Sequence, residues 1–278
     1  MKTRARPFFQ VDVFAQQPYS GNGLAVVMDS QDLSEAQMQA FARWTQLSET
    51  TFVLPPTAAE ADYQVRIFTP GGELPFAGHP TLGSCHAWLE AGGQPREPGR
   101  VVQQCAVGLV HLRREATDLA FAAPALRRQA IDPTRLPRII SALGLAPGQV
   151  QAAQELDNGP LWFGLLLDSA DTVRRLEPDH AQLRALGTKI GVAAAQGTDL
   201  LVRAFAAPVG ILEDPVTGSL NASLAQWLIE EGHMPSRYRA SQGASVGRDG
   251  RIELHRDAHG QVWVGGASVT CISGQVWL

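Results

Sequence analysis

The most informative part of the second half of this chain is the stretch Glu213-Asp214-Pro215-Val216-Thr217-Gly218-Ser219. It lies between an apolar run and an amphipathic pattern of helical period, so it is typical of a helix start. Asp214 is a residue type that caps backbone N–H groups, and Pro215 is tolerated in the first helical turn. Residues 217–219 would then offer hydrogen-bond donors at the positive end of the helix. The stretch therefore predicts an anion-binding site.

Residues 66–92 repeat this plan at about half the chain length. Both copies run from an Arg-x-Phe strand through a loop into a helix that carries a tryptophan and ends at a glycine. Arg66 and Arg203 are 137 positions apart, and Trp88 and Trp227 are 139 apart, which is half of 278. We therefore predict two copies of one strand–loop–helix plan. A chance likeness in composition is the alternative.

The composition excludes several classes of protein. Of the 278 residues 45% are hydrophobic and 18% charged, and the net charge of −4 offers no basic surface for nucleic acid. No apolar run approaches the roughly 20 residues of a membrane span or follows the N-terminus as in a secretion signal. Three scattered cysteines, Cys85, Cys105 and Cys271, suit a reducing compartment. We expect a soluble cytoplasmic protein with no nucleic-acid or membrane partner.

Strand patterns outnumber helix patterns in both halves. In the first half, residues 71–80 are typical of a loop and residues 81–90 of a helix. In the second half, a long helix follows the acidic stretch, and residues 124–133 resemble a connector between the halves. The pattern predicts an α+β fold built twice, with mixed sheets that wrap a central helix.

A series of ordered motifs resembles the PhzF-like family, which is named for an isomerase of phenazine biosynthesis. The resemblance covers nearly the whole chain, and the string from Asp214 to Ser219 is specific by itself. The motifs are residues 11–14 with 21–22, residues 47–52, residues 75–81, residues 213–219, residues 241–243 with 247–248, and residues 264–266.

The resemblance implies a fold like that of diaminopimelate epimerase, with two pseudo-symmetric domains that face each other across a cleft. In such folds the last strand returns to the first domain. We therefore expect one domain at residues 1–124 together with 268–278, and the other at residues 125–267. The resemblance further implies a homodimer and an acid–base isomerase that needs no cofactor and no metal. Such an enzyme would move a carbon-bound proton of a small carboxylate substrate in the interdomain cleft.

The resemblance assigns the proton shuttle to Glu49. This residue precedes an apolar strand pattern, and Trp44 and Phe52 lie nearby in the sequence. A carboxyl group in an apolar wall would have its pKa raised by desolvation, which suits a group that takes and returns a proton near neutral pH. The alternative is an ordinary exposed glutamate at a strand start.

The resemblance also places His79 in the site. An imidazole at a helix start can donate to a substrate or exchange its own proton. Gly78 leaves room for a close approach of the backbone. Without the resemblance, a structural role is the more common one for a lone histidine.

In the second half, the resemblance assigns Asp214 to binding or orienting a substrate amine or hydroxyl. Its alternative role is plain N-capping, and both roles are compatible. Ser219 and the N–H groups of Gly218 and Ser219 would bind the substrate carboxylate at the helix end. Gln242 is a weaker candidate for substrate binding, from a loop that lines the cleft.

Two other functions remain open from the sequence. One is an epimerase or racemase on the same fold, although a two-thiol racemase is disfavoured because neither helix start carries a cysteine. We expect Cys85 and Cys105 to be buried as small hydrophobic residues. The other is a non-catalytic small-molecule binding protein. Dinucleotide, phosphate-loop, metal and nucleophile-elbow motifs are all missing from the sequence.

Overall fold

The first half of the chain folds as β-strands around one long helix. The computed structural model describes residues 3–115 and 118–278. The elements of this half are β1 (Ala5–Val13), β2 (Asn22–Val27), α1 (Glu35–Thr45), β3 (Glu49–Leu54), β4 (Tyr63–Thr69), β5 (Gly72–Leu74), α2 (Gly78–Glu90), β6 (Arg100–Cys105), β7 (Gly108–Glu115) and β8 (Asp118–Ala122).

The second half repeats the arrangement with two more helices than the first. Its elements are β9 (Arg127–Gln129), α3 (Leu136–Ala142), β10 (Val150–Asp157), β11 (Leu161–Leu167), α4 (Ala170–Arg175), α5 (His180–Leu186), β12 (Lys189–Gln196), β13 (Asp199–Ala206), β14 (Ile211–Asp214), α6 (Gly218–Glu230), β15 (Arg237–Gln242), β16 (Gly250–Arg256) and β17 (Val262–Gly266). The last strand is β18 (Ser268–Trp277).

Contacts divide the chain into two units. The first unit comprises Met1–Ala122 with Gly265–Leu278, and the second comprises Ala123–Val264. The final strand joins the first unit because β18 pairs antiparallel with β1 over the whole length of β1, from Ala5 opposite Trp277 to Val13 opposite Ser268.

Each unit buries one long helix against its strands. In the first unit, α2 packs on β1, β2, β3 and β8, and in the second, α6 packs on β10, β11 and β16. Both helices have 13 residues and carry long buried stretches, so each forms the centre of its unit rather than a surface layer. This confirms the predicted α+β fold of two pseudo-symmetric halves, each with a mixed sheet around a central helix.

The repeat extends to the strand register. In the first unit β4 runs into the β5 hairpin and α2, and β6 then returns parallel to β4 with Tyr63 opposite Gln103. In the second unit β13, β14 and α6 follow the same path, and β15 returns parallel to β13 with Leu200 opposite Ala240. Tyr63 and Leu200 are 137 residues apart, and so are Gln103 and Ala240, which is the separation of Arg66 and Arg203.

Both helix starts differ from the predicted ones. The first helix begins at Gly78, three residues before Thr81, because Pro80 fits a first turn in which the N–H groups lack intrahelical acceptors. The second begins at Gly218 with Thr217 as its N-cap residue. Asp214 is therefore not the N-cap, since it still pairs as a strand residue with Ala204 in the β13–β14 hairpin.

The helices offer no membrane span. Within the described part of the chain, none of them is both long and apolar enough to cross a bilayer.

Candidate active site

Glu49 and His79 lie side by side in the first unit. Glu49 is the first residue of β3, next to Leu24 of the parallel strand β2, and His79 is the second residue of α2. The His79 Nε2 atom is 3.5 Å from Glu49 Oε2, and the two side chains are only 6% and 15% exposed. A carboxyl group and an imidazole so close together and so well shielded from water can pass a proton between them.

Asn22 supports the imidazole from its other side. Its Nδ2 atom lies 3.5 Å from His79 Nδ1, and Ser48 Oγ donates to Asn22 Oδ1 at 3.3 Å. An amide nitrogen only donates, so in this arrangement Nδ1 accepts and the proton of a neutral His79 sits on Nε2. That nitrogen is the one that faces Glu49.

The first motif holds the loop that carries Asn22. Gly21 N donates to the buried Asp12 carboxylate at 2.9 Å. A Cβ atom at position 21 would lie 2.1 Å from the Val13 carbonyl oxygen, so only glycine fits this close approach. Asp12 and Gly21 therefore set the position of Asn22, and through it that of His79.

The two aromatic residues that lie near Glu49 in the sequence differ in their surroundings. Trp44 is 77% exposed and stacks on Phe41, whereas Phe52 is fully buried in a cluster with Phe41 and Phe68. Trp44 therefore does not shield Glu49, because it extends from the last turn of α1 into solvent. The side chains that contact the His79 imidazole nitrogens are polar, namely Glu49 and Asn22.

In the second unit, Gln242 holds the start of α6. Gln242 Oε1 accepts from Thr217 N at 3.1 Å and from Asn221 Nδ2 at 2.9 Å. Gln242 Nε2 donates to the Asp214 carbonyl and to Thr217 Oγ1, both at 2.9 Å. Thr217 Oγ1 in turn donates to Asp214 Oδ2. The structure thus brings Asp214 and Gln242 together through Thr217.

A backbone turn explains the glycine that follows Gln242. Gly243 has φ 100°, and a Cβ atom there would meet the Pro215 carbonyl oxygen at 2.5 Å. A residue with a side chain would be both strained and too large at this position. The Ser-Gln-Gly motif therefore brings β15 against the loop that precedes α6.

Ser219 is oriented by two buried side chains of the β10–β11 hairpin. Trp162 Nε1 donates to Ser219 Oγ at 3.2 Å, and Asn158 Nδ2 donates to the Ser219 carbonyl at 2.9 Å. The indole N–H can only donate, so the Ser219 hydroxyl accepts this bond and directs its own hydrogen elsewhere. Together with the N–H groups of the first turn, this hydroxyl gives the helix start a set of donors of the kind that can bind an anion.

Equivalent ion pairs brace the hairpin before each long helix. Arg203 Nη2 lies 2.8 Å from Glu213 Oε2 with both side chains less than 10% exposed, and Arg66 forms the corresponding pair with Glu73 at 2.5 Å. Each arginine also lies over the ring of the phenylalanine two residues later. The repeated Arg-x-Phe pattern thus has one structural role in both units.

The predicted site residues fall into two groups. Gly78, Glu49 and His79 lie together in the first unit, where Gly78 is the first residue of α2. Asp214, Gly218, Ser219 and Gln242 lie together in the second unit. His79 and Ser219 occupy the same position, the second residue of each long helix.

The sequence did not single out Asn158 and Trp162, which contact Ser219. They are 61 and 57 residues away from it in the chain, and no motif joins them. Asn22 is a partial exception because it stands in the Gly21-Asn22 motif, although its contact with His79 could not be foreseen.

The cysteines lie away from both helix starts. Cys85 and Cys105 are buried as expected, and burial raises the pKa of the Cys85 thiol to about 12 and also raises that of Cys105. Such thiols stay protonated and unreactive at neutral pH. Over residues 3–115 and 118–278, no group of three or more histidine, cysteine or acidic side chains is placed to hold a metal ion.

Known proteins resemble this chain along its whole length. The profile of the phenazine biosynthesis-like protein family matches residues 11–274. Antisense-enhancing sequence 1 of Schizosaccharomyces pombe is 35% identical, with 98% of each chain covered. The trans-2,3-dihydro-3-hydroxyanthranilate isomerase of Pseudomonas aeruginosa is 32% identical, over 96% of this chain and 98% of that protein.

Solved structures show the same fold. A PhzF family protein of Enterococcus faecalis matches with a TM-score of 0.83 and 26% identity, over 99% of this chain and 100% of its own. A predicted epimerase of Pseudomonas aeruginosa matches with a TM-score of 0.82 and 27% identity, over 98% and 99%. A hydroxyproline epimerase of Agrobacterium vitis, at 12% identity and a TM-score of 0.64 over 99% and 93%, shares the fold alone. The chain therefore belongs to the PhzF-like, phenazine biosynthesis-like family of isomerases.

Proposed function

We propose that this protein is a cofactor-independent isomerase that moves a carbon-bound proton of a small carboxylate substrate. The observation that carries the proposal is the shielded pair of Glu49 and His79, with 3.5 Å between Oε2 and Nε2. Proton transfer from carbon needs a base held at a fixed position and screened from water. The pair meets both requirements.

The proposed reaction needs no oxidant and no added group. Glu49 takes a proton from a substrate carbon, and the electron pair of the broken C–H bond shifts into the adjacent unsaturated system. The protonated Glu49, or His79 beside it, then returns a proton to a second carbon of that system. The product is an isomer of the substrate, and both side chains end in their starting forms.

Substrate binding is the role we propose for the start of α6. Ser219 and the N–H groups of Gly218 and Ser219 bind the substrate carboxylate, since the Trp162 bond leaves the Ser219 hydroxyl hydrogen available. Asp214 binds an amine or hydroxyl group of the same substrate. The roles of Gly78, the homodimer, the cytoplasmic location and the absence of a cofactor stay predictions.

The test is solvent deuterium incorporation, measured by mass spectrometry and NMR. The panel holds small amino and hydroxy carboxylates, including the trans-2,3-dihydro-3-hydroxyanthranilate named for the Pseudomonas relative. We expect label and a shifted double bond with the wild type, and a loss of at least a hundredfold for Glu49→Gln with substrate binding nearly unchanged. Glu60→Gln removes an exposed carboxylate and serves as the matched control.

The likeness to a predicted epimerase favours one alternative, an epimerase or racemase. That activity would place deuterium at a stereocentre without moving a double bond, and NMR separates the two products. Label that persists in Glu49→Gln would overturn the assigned base. A wild type that binds members of the panel without labelling any of them would instead indicate a binding protein.

A further inference from the structure

We propose that Gln242 is a positioning residue that fixes Asp214 as a hydrogen-bond acceptor at the start of α6. The inference rests on the proposed function, in which Asp214 binds an amine or hydroxyl of the substrate. It replaces the direct substrate contact that the sequence suggests for Gln242. The mechanism is a directed chain of hydrogen bonds from Gln242 through Thr217 to Asp214.

Gln242 has little surface left for a substrate. Gln242 is the last residue of β15 and is only 2% exposed. Its side-chain amide makes four hydrogen bonds within the second unit. Two bonds end on the carboxamide oxygen and two begin at the nitrogen. The hydrogen-bonding capacity of the Gln242 amide is thus largely used by groups of the protein itself.

The orientation of this amide is fixed by its neighbours. The Thr217 backbone N–H can only donate, so the amide atom 3.1 Å from it must be the oxygen. The Asp214 carbonyl can only accept, so the atom 2.9 Å from it must be the nitrogen. A flipped amide would face a donor with a donor and an acceptor with an acceptor, and both bonds would be lost.

The fixed Gln242 amide in turn determines the orientation of the Thr217 hydroxyl. Gln242 Nε2 donates to Thr217 Oγ1 at 2.9 Å, so the oxygen acts as acceptor there. The single hydroxyl hydrogen is left for Asp214 Oδ2, which receives it. A hydrogen bond donated to a carboxylate favours its ionised form, so Asp214 is held as an anion that recognises a donor group of the substrate.

The first unit lacks this arrangement at the equivalent position. The register pairs Tyr63 with Gln103 in the first unit and Leu200 with Ala240 in the second, so the counterpart of Gln242 is Cys105. The N-cap residue of α2 is Ala77, which makes no side-chain capping bond. A different glutamine serves the first unit, since Gln103 Nε2 donates to Thr81 Oγ1 at 3.1 Å. Thr81 donates in turn to the Ala77 carbonyl, so only the second of these two chains of hydrogen bonds ends on a carboxylate, that of Asp214.

The test compares loss of the Thr217 hydroxyl alone with loss of all four Gln242 hydrogen bonds. Gln242→Leu removes all four bonds, whereas Thr217→Val removes only the hydroxyl and keeps the backbone N–H for Gln242. Gln226→Leu is the control, because Gln226 lies on the same helix and donates to the Pro124 and Ala222 carbonyls rather than near Asp214. Each variant is first compared with the wild type in circular dichroism and thermal unfolding.

The decisive readout is the titration of the Asp214 carboxyl carbon by ¹³C NMR, assigned from the signal that Asp214→Asn lacks. We expect Thr217→Val and Gln242→Leu to raise the Asp214 pKa by about one unit, and Gln226→Leu to leave it unchanged. With the substrate identified by deuterium labelling, the acid limb of the kcat/KM profile should move to higher pH by the same amount, with a loss that approaches about tenfold at low pH.

The outcomes are distinguishable. A folded Gln242→Leu or Thr217→Val protein with the wild-type Asp214 titration would overturn the inference. If Gln242→Leu does not fold, Thr217→Val decides the question. A failure of the proposed isomerisation would leave the NMR titration intact, so the positioning role and the reaction are tested separately.

Discussion

At the scale of single residues, the direction of the Ser219 hydroxyl decides whether α6 can bind an anion. Trp162 donates its indole N–H to Ser219 Oγ, so the serine donates onward. We predict that Trp162→Phe, which keeps a buried aromatic ring but loses this N–H, raises KM for a carboxylate substrate about threefold to tenfold with a smaller change in kcat.

The same variant should weaken inhibition by simple carboxylates to a similar degree. Trp263→Phe is the control, because its indole N–H donates to Asp257, away from α6. Steady-state kinetics with both variants and with Ser219→Ala check the prediction. If Trp162→Phe retains the wild-type KM while Ser219→Ala does not, the indole has no part in orienting the serine.

The sequence pointed to some residues of the candidate site and not to others. Glu49 and His79 stand in short motifs that resemble the PhzF-like family, and the structure brings them together, while their roles stay predictions. Trp162 and Asn158 act on Ser219 only because β11 and the turn before it lie beside α6. Such contacts depend on the register between distant segments, which a single sequence does not contain.

At the scale of secondary-structure elements, the ion pairs before the two long helices differ in burial. Arg203 and Glu213 are both less than 10% exposed, whereas Arg66 and Glu73 are 25% and 31% exposed. Removal of one partner from a buried pair leaves an uncompensated charge, whereas solvent replaces much of a half-exposed pair. Arg66 also pairs with the exposed Glu35 at 3.0 Å, which further reduces the effect of losing Glu73. The two pairs therefore allow a comparison of a buried and a half-exposed charge within one chain.

We predict that Glu213→Gln lowers the free energy of unfolding by about 3–5 kcal/mol and Glu73→Gln by about 1 kcal/mol or less. The double variant Arg203→Met with Glu213→Leu should recover much of the loss, because it leaves no buried charge. Urea unfolding of the variants at neutral pH measures all three values. Equal losses for Glu213→Gln and Glu73→Gln would contradict the argument.

The elements show where local signals fail. The acid-proline pattern at Asp214 and Pro215 matched a helix start, yet the hairpin pairing of Asp214 with Ala204 delays α6 to Gly218. Pro80 looked like the end of a loop, yet it is the third residue of α2. In both cases the residue type allowed two local structures, and the tertiary pairing selected one.

At the scale of the whole molecule, the internal repeat was the strongest signal in the sequence. The spacing of Arg66 and Arg203 reappears in the paired strands, because a duplicated plan keeps its register even where the residues have changed. The return of β18 to β1 was expected only from the family resemblance. It joins residues more than 250 positions apart, and no local pattern encodes such a pairing.

Buried tyrosine hydroxyl and cysteine thiol groups in the two units make the stability of the protein fall at alkaline pH. Burial raises the pKa of Tyr63 and Cys85 in the first unit and that of Tyr238 in the second. The folded protein keeps these groups protonated, while the unfolded chain loses the protons near the ordinary values of 9.0 for cysteine and 10.0 for tyrosine. The contribution of these groups to stability is therefore fully present below about pH 9 and falls as the pH rises.

Tyr238 provides the sharpest test, because its hydroxyl is buried and, within the described part of the chain, has no hydrogen-bond partner. We predict that Tyr238→Phe is neutral or stabilising at pH 8. Its free energy of unfolding relative to that of the wild type should then grow by about 1 kcal/mol for each pH unit above 10. Tyr19→Phe changes a tyrosine that is 74% exposed and should show no such growth. Urea unfolding between pH 8 and pH 11 measures both, and parallel pH profiles for wild type and Tyr238→Phe would show that this hydroxyl is not kept protonated by the fold.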